Sequence, residues 1–404
     1  MRRTFALFLI LVAVAAPVSA QSLFNTRGLG TRLDPADARS RALGNVGIGL
    51  LGFNGSLVNP ADLSNIVRRG VTASIQPFYG SDNLNGQEAD VSGTRFPVLQ
   101  ILYPFSARTV VSLGYGGVFD QSWAVQTEGE DVIGGNTFRF RDVLSSRGGI
   151  SQVRLSGSYR LTPDLSVGVG GGVYTGTLDR RLRREFTSAP PDSLPDFTSD
   201  RSWTYSGPFA VVGATWDPLP TMRIAAAVTW SGDLDADGDT DDDGVLDPAV
   251  GRSYDLPLRA AFGASAVVGR RLLATVSGDW EGWSDGNYTA LGSEAGQATT
   301  ASSSWVVGGG LEWEELRTAT RIFPLRAGFR YAKLPFHNVG EEQPTEWAIT
   351  GGIGFRLAYD DFGPLAVADL GIERGRREGW EGGVSGALEE NFWRFTASVS
   401  LFAR

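Results

Sequence analysis

From residue 71 onward the chain is written almost entirely in period two. The segment NFWRFTASVSLF puts Trp393, Phe395, Ala397, Val399 and Leu401 on one face and Arg394, Thr396, Ser398 and Ser400 on the other. QVRLSGSYRL sets Val153, Leu155, Gly157, Tyr159 and Leu161 against Gln152, Arg154, Ser156, Ser158 and Arg160. The stretches 222–230, 272–280 and 347–355 repeat the pattern. Side chains alternate across a strand, so these are strands with one greasy face and one polar or glycine face. Helical apolar periods are almost absent, and beyond the first twenty residues no run of 18 apolar residues is available to cross a membrane as a helix.

Alternation alone also fits a soluble sandwich. Three features favour a membrane barrel. The apolar faces often end in Trp or Tyr, as at the two interfaces of a bilayer. The opposite faces carry charge well inside strands, including Arg154, Arg223, Arg259, Asp279, Arg326, Arg330, Arg356 and Arg394. Short connections (106–108, 162–164, 217–221, 269–271, 315–322, 359–363) alternate with long ones (80–94, 128–147, 187–200, 232–252, 284–300, 337–344, 377–390). Six short and seven long connections join fourteen strands, which puts both chain ends on one side. Because lipid offers no hydrogen bonds, such a sheet must close on itself. The expected fold is therefore all-β: a membrane-spanning, antiparallel, up-and-down β-barrel over 71–404.

The first twenty residues read as a secretory signal peptide. Arg2 and Arg3 precede an apolar core, and Val18-Ser19-Ala20 fits a cleavage site. Removing Arg2 and Arg3 from 36 basic residues leaves 34 against 45 acidic ones, a net charge of −11, which argues against nucleic acid as a partner. There is no cysteine, so disulfides, thiolate metal sites and thiol catalysis are excluded. A fourteen-stranded barrel is wide enough to leak unless something fills it. Residues 21–70 have the right size for a plug, and Leu43, Val46, Ile48, Leu50, Leu51, Phe53, Leu57 and Val58 argue against a disordered tail, the other reading. Within it Asn59-Pro60-Ala61 forms a rigid corner, with proline fixing its own φ and forcing Asn59 extended.

These residues resemble a known family. Arg41-Ala42-Leu43-Gly44, the glycine-rich patch after it and Asn59-Pro60-Ala61-Asp62-Leu63 precede strand one, and FPLRAGFRYAKLPF with EWAITGGIGF follows late in the chain. Together they are similar to the outer-membrane long-chain fatty acid transporters, the recognisable match covering roughly 28–64. The resemblance implies a monomer in the outer membrane of a Gram-negative-type bacterium, surrounded by outer-membrane lipid, that admits a hydrophobic small molecule or fatty acid passively. In that family the substrate moves from an outer groove to a luminal pocket and leaves sideways at a kink in the third strand, while the plug shifts. The alternative is a non-conducting barrel that serves secretion or surface interaction.

Expectations for the site follow. Strand three, VVSLGYGGVFDQSWAVQ, carries Gly114, Gly116, Gly117, Asp120 and Gln121; alternation puts Phe119 and Gln121 on its lipid face, and the glycines mark a bend or bulge that would make a lateral gate. The other reading is an ordinary strand leaving the membrane near 120. Arg326, Arg330 and Arg356 face inward and are candidates to meet a substrate carboxylate, or else pair with luminal acids. In the 232–252 segment, Asp233, Asp235, Asp237, Asp239 and Asp241 resemble the opening of a Ca²⁺ loop, although Gly244 stands where a closing glutamate belongs. The alternative is a solvated acidic loop, and no other cofactor is implied. The only histidine, His337, has no serine nearby in sequence, so no enzyme is expected.

Overall fold

The computed structural model describes residues 22–403 except 85, 187–195, 240–250, 285–287, 289, 292–298, 319–320, 338–342, 361–362 and 382–385. The expected signal peptide lies outside these residues. Fourteen antiparallel strands follow one another around a closed ring. They are β1 (Gly70–Leu84), β2 (Gln87–Arg95 and Leu99–Pro104), β3 (Thr109–Asp120 and Trp123–Ile133), β4 (Asn136–Arg160), β5 (Leu165–Phe186), β6 (Phe197–Leu219) and β7 (Met222–Ser231 and Leu234–Gly238). Then come β8 (Arg252–Tyr254 and Arg259–Val268), β9 (Leu272–Glu281), β10 (Ser304–Thr318), β11 (Arg321–Lys333), β12 (Thr345–Asp360), β13 (Gly363–Glu381) and β14 (Gly386–Phe402). The β14 register runs from Leu388 opposite Leu84 to Phe402 opposite Gly70 and closes the ring on β1.

The alternation sets which side chains face out. Leu99, Ile101 and Tyr103 of β2, Val153, Leu155 and Tyr159 of β4, and Trp393, Phe395 and Leu401 of β14 are exposed on the outside. These residues gain by facing acyl chains and would be unsatisfied in water. Inside, small polar residues bond across the closing seam. Thr72 pairs with Ser400 at 3.0 Å, Ser74 with Ser398 at 2.8 Å, and Gln76 donates to Thr396 at 2.9 Å.

Three of the expected long loops are not open loops. The 80–94, 128–147 and 377–390 segments are hairpins paired toward their tips, Leu84 with Gln87, Ile133 with Asn136 and Glu381 with Gly386. Gly86, Gly134 and Gly135 take positive φ at the first two tips. Charge-rich sequence reads as loop, but a ladder beyond the bilayer tolerates polar side chains on both faces. The long strands β3 to β6 thus stand well above their neighbours: β4 has 25 residues and β9 has 10.

Residues 22–69 meet the inward faces of strands on opposite sides of the ring. A short helix α1 (Ala38–Ala42), capped by Asp37 accepting from the Ser40 amide at 2.8 Å, lies against β11 to β14. Arg41 donates to Glu373 at 2.6 Å, and Arg39 to Glu312 at 2.7 Å. The 3₁₀ turn Pro60–Asn65 sits against β3, β4, β5 and β6. Luminal glycines let two backbones touch: Gly308 and Gly328 receive Leu43-Gly44, and Gly263 receives Ile48-Gly49. A Cβ on Gly308 would overlap the Gly44 carbonyl. Gly308→Val should therefore leave a heat-modifiable barrel while expelling the N-terminal segment, at an overpacking cost of about 1–3 kcal/mol. Limited trypsin digestion should cut this variant at Arg39 and Arg41 and spare the native chain; equal resistance would contradict the packing.

Candidate functional site: a break in the barrel wall

Among the described residues the ladder is interrupted between β2 and β3; a second, shorter gap separates Arg321–Pro324 of β11 from Gly354–Asp360 of β12. The inner-sheet half of β2, Leu99–Pro104, pairs with both β1 and β3. Its outer half, Gln87–Arg95, pairs with β1 alone. The outer half of β3, Trp123–Ile133, pairs with β4 alone. Pro97, which has no N–H to give to a ladder, stands at the break in β2. In β3 the register slips between Gly117 and Phe119. That bulge shifts the alternation by one residue. Phe119 and Gln121 are therefore buried inside the barrel, not on the lipid face where alternation alone puts them. The Tyr205 hydroxyl donates to the Gln121 side-chain oxygen at 2.7 Å.

The orphaned edge of β3 finds other partners. Thr31 and Arg32 add a two-residue antiparallel strand opposite Asp120 and Phe119, and the Leu33 amide donates to the Val118 carbonyl at 2.7 Å. Across the break, Arg95 of β2 bonds Asp120 of β3 through Nε at 2.8 Å, and its guanidinium lies over the Phe78 ring. A side-chain ion pair thus stands where a ladder would be. A cavity of about 420 Å³ occupies the break, walled by Gly93, Arg95 and Phe96 of β2, Tyr115, Gly117 and Phe119 of β3, and Leu33. Gly114 and Gly116 pack against Leu57 from the segment inside.

Behind Leu33 and Phe119 lies a second cavity, closed down to about 30 Å³, room for one water. Leu57, Tyr174, Phe209, Leu256 and Trp283 line it, and it abuts a larger aromatic cluster with Trp203, Tyr205, Tyr254, Tyr288 and Phe336. Most arginines near it have acids: Arg32 meets Glu281, and Arg259 donates to Asp279 at 2.7 Å. Arg154 does not. It is 4 % exposed, donates to the Ser156 hydroxyl at 2.6 Å and to the Leu57 carbonyl, and has no carboxylate partner among the described residues. Period two placed Arg154 inward but could not show which luminal arginine lacks an acid.

Arg326, Arg330 and Arg356 do not converge on this cavity. Arg326 bonds Glu312 and Asp369, both at 2.6 Å; Arg330 meets Asp34 at 2.9 Å; Arg356 donates to Glu314 at 2.6 Å. Arg326 and Arg356 line instead a separate space of about 640 Å³ with Arg270, Phe53 and Phe355. Asn59, Pro60 and Ala61 stand as the corner requires. Asn59 is extended (φ −111°, ψ 116°), accepts from the Ala61 amide at 3.0 Å and donates to the Thr215 hydroxyl at 3.0 Å, and Pro60 fits against Gly168 of β5.

The acidic segment is not a wrapped loop where it is described. Leu234–Gly238 is paired strand, so Asp233, Asp235 and Asp237 project at period two on one exposed face instead of curling around an ion, with Asp239 exposed just beyond. Asp241 lies outside the described residues. Among those residues no group of three or more acids, histidines or cysteines is arranged to hold a metal. His337 Nε2 meets the Ser302 hydroxyl at 2.7 Å, a contact across strands that sequence distance hid, but among the described residues no acid bonds the ring to orient it.

No protein-family model matches this sequence, and no curated protein matches it either. Solved structures do match. A Pseudomonas aeruginosa FadL homologue superposes with a TM-score of 0.60 at 13 % identity, covering 93 % of this chain and 99 % of that one. The P. putida toluene transporter TodX gives 0.58 at 15 %, covering 92 % and 100 %. The Ralstonia pickettii toluene transporter TbuX gives 0.57 at 15 %, covering 92 % and 99 %. The chain thus shares, over nearly its full length, the fold of the FadL-type hydrophobic-compound transporters.

Removing Asp120 leaves Arg95 buried without its partner, a costly state. With no native cysteine to interfere, Leu33→Cys reports on the break. Adding Asp120→Ala should speed maleimide labelling of that cysteine at least about tenfold, the change expected for a shift of about 1.4 kcal/mol toward the open edge. An unchanged rate would show that the ion pair pins nothing.

Proposed function

We propose that this protein is an outer-membrane channel for the passive uptake of hydrophobic molecules, releasing them sideways between β2 and β3. The observation that carries this reading is the missing ladder between those strands, with cavities on both sides of Leu33 and Phe119. An apolar solute gains nothing from a water-filled pore. A route from an aromatic interior through the wall keeps it out of water and delivers it to acyl chains. The inner cavity as it stands is too small for a substrate, so Thr31–Leu33 must move for anything to pass. That edge strand is short and its ladder is two residues long, which makes it the cheapest part of the wall to open.

The substrate class follows from the lining. Aromatic rings suit an apolar body. Arg154, buried without an acid, suits one anionic or hydrogen-bond-accepting end. A long-chain fatty acid has both, and the neighbours described as toluene transporters and as a monoaromatic hydrocarbon channel support including ligands with no charged end. Calcium in the acidic segment belongs to this proposal only as a surface association, separate from the route.

The test is uptake in cells lacking their own transporter. Gly117→Phe fills the break and should cut uptake at least about tenfold with the folded barrel retained. Arg154→Met should lower uptake of a fatty acid and spare toluene. Undiminished uptake by Gly117→Phe would rule out the sideways exit, and equal loss of both substrates in Arg154→Met would rule out a head-group role.

A further inference from the structure

Many of the buried luminal charges are joined in ion pairs. Asp34, Glu346, Glu373 and Glu390 are joined in one network to Arg41, Arg330, Arg377 and Arg394. Among the described residues Asp82 has no arginine bonded to it. It is 2 % exposed and faces Glu390, 1 % exposed, across the β1–β14 ladder. Its Oδ2 accepts the Leu23 amide at 2.6 Å, while its Oδ1 is buried with no hydrogen-bond partner among the described residues. Ser22 donates its hydroxyl to Glu390. The two carboxylates lie beyond Tyr79 and Trp393, the aromatic pair that faces lipid on these strands, and so stand outside the membrane-spanning part. Burial, and next the neighbouring Glu390, push the Asp82 carboxyl up to about 7; the Leu23 amide and Arg377 pull the other way without offsetting them.

Two buried acids with an open lone pair call for a cation. The group supplies only two carboxylates, and among the described residues no larger metal-ligand set exists. A hydrogen-bonding cation suits it better, and the sequence makes one next door. Hydrolysis of the Ala20–Gln21 amide at the expected cleavage site leaves a carboxylate on Ala20 and an amine on Gln21, which takes up a proton at neutral pH. That α-ammonium is one peptide unit from Ser22, and Ser22 and Leu23 are the residues held by Glu390 and Asp82. We propose that Asp82 and Glu390 form a receptor for the chain's own N-terminal ammonium group, so that the segment inside the barrel locks in place only after its signal peptide is removed. The proposal rests on the cleavage site and stands apart from what the channel carries.

The experiment compares hydrogen exchange of the Leu23 amide in the folded, detergent-solubilised protein with two N-termini. One begins at Gln21, with the free amine verified by mass, since a cyclised glutamine has none. The other carries Gly-Ser-Gly-Ser ahead of Gln21, which moves the charge away. At pH 7 the extended chain should lose protection at least about tenfold. At pH 5 the two should agree. The sign follows from the raised acid: folded Asp82 holds a proton that its unfolded form has lost, so a chain without the cation loses stability as pH rises from about 4 to about 7. Asp82→Asn, or Asp82→Ser if the first fails to fold, should make the two N-termini alike at both pH values. Equal exchange of the two chains at pH 7, or a difference that survives in the Asp82 variant, overturns the proposal. Restoration of the extended chain by 1 M NaCl also overturns it, because an inorganic cation would then be the natural occupant.

Discussion

Every peptide group facing lipid must find a partner within the protein, and this constraint organises the whole molecule. It closes fourteen strands into a ring and makes the outer face apolar. It also gives meaning to the place where the ladder between β2 and β3 fails. Between the outer halves of β2 and β3 the chain does not leave its edge bare. Thr31 and Arg32 supply backbone partners from inside, and Arg95 with Asp120 supplies a side-chain bridge. A covered edge differs from a continuous sheet in one respect: its cover is non-covalent, short and part of another element, so it can leave without unfolding the barrel.

The interior obeys the corresponding rule for charge. An unpaired guanidinium or carboxylate away from water is costly, and the lumen answers with networks in which many arginines meet an acid from another strand or from the N-terminal segment. Arg41 bridges Asp34 and Glu373, and Arg39 meets Glu312, so the segment is seated by ion pairs that reach the wall on β10 and β13. Glycine contacts at Gly263, Gly308 and Gly328 set how closely it can sit. Against that background two groups stand out among the described residues: Arg154, a cation without an acid beside the aromatic cavity, and Asp82, an acid with no bonded arginine beside another buried acid.

Period two made the strands, their facing and the strand count legible, because that pattern is a property of each strand by itself. The Asn59-Pro60 corner was legible for the same reason, since proline acts on its immediate neighbours. What could not be read involved two strands at once. The bulge at Gly117 inverted the facing of Phe119 and Gln121, because one extra residue in a ladder is invisible without its partner strand. Charged hairpins at 80–94, 128–147 and 377–390 looked like loops, since beyond the bilayer nothing forces alternation. The partners of Arg326, Arg330 and Arg356, the acid-free state of Arg154 and the contact of His337 with Ser302 all join residues remote in sequence.

The uneven height of the cylinder has its own consequence. About 9–11 residues suffice for a tilted strand to cross the hydrocarbon layer, and β9 has 10 while β4 has 25. The surplus in β3 to β6 forms a paired sheet directly beside the interrupted wall. It is a built-in screen: anything approaching the break from that flank meets a hydrogen-bonded sheet first. Its Gly134-Gly135 tip touches nothing else and is a natural place to graft a reporter peptide.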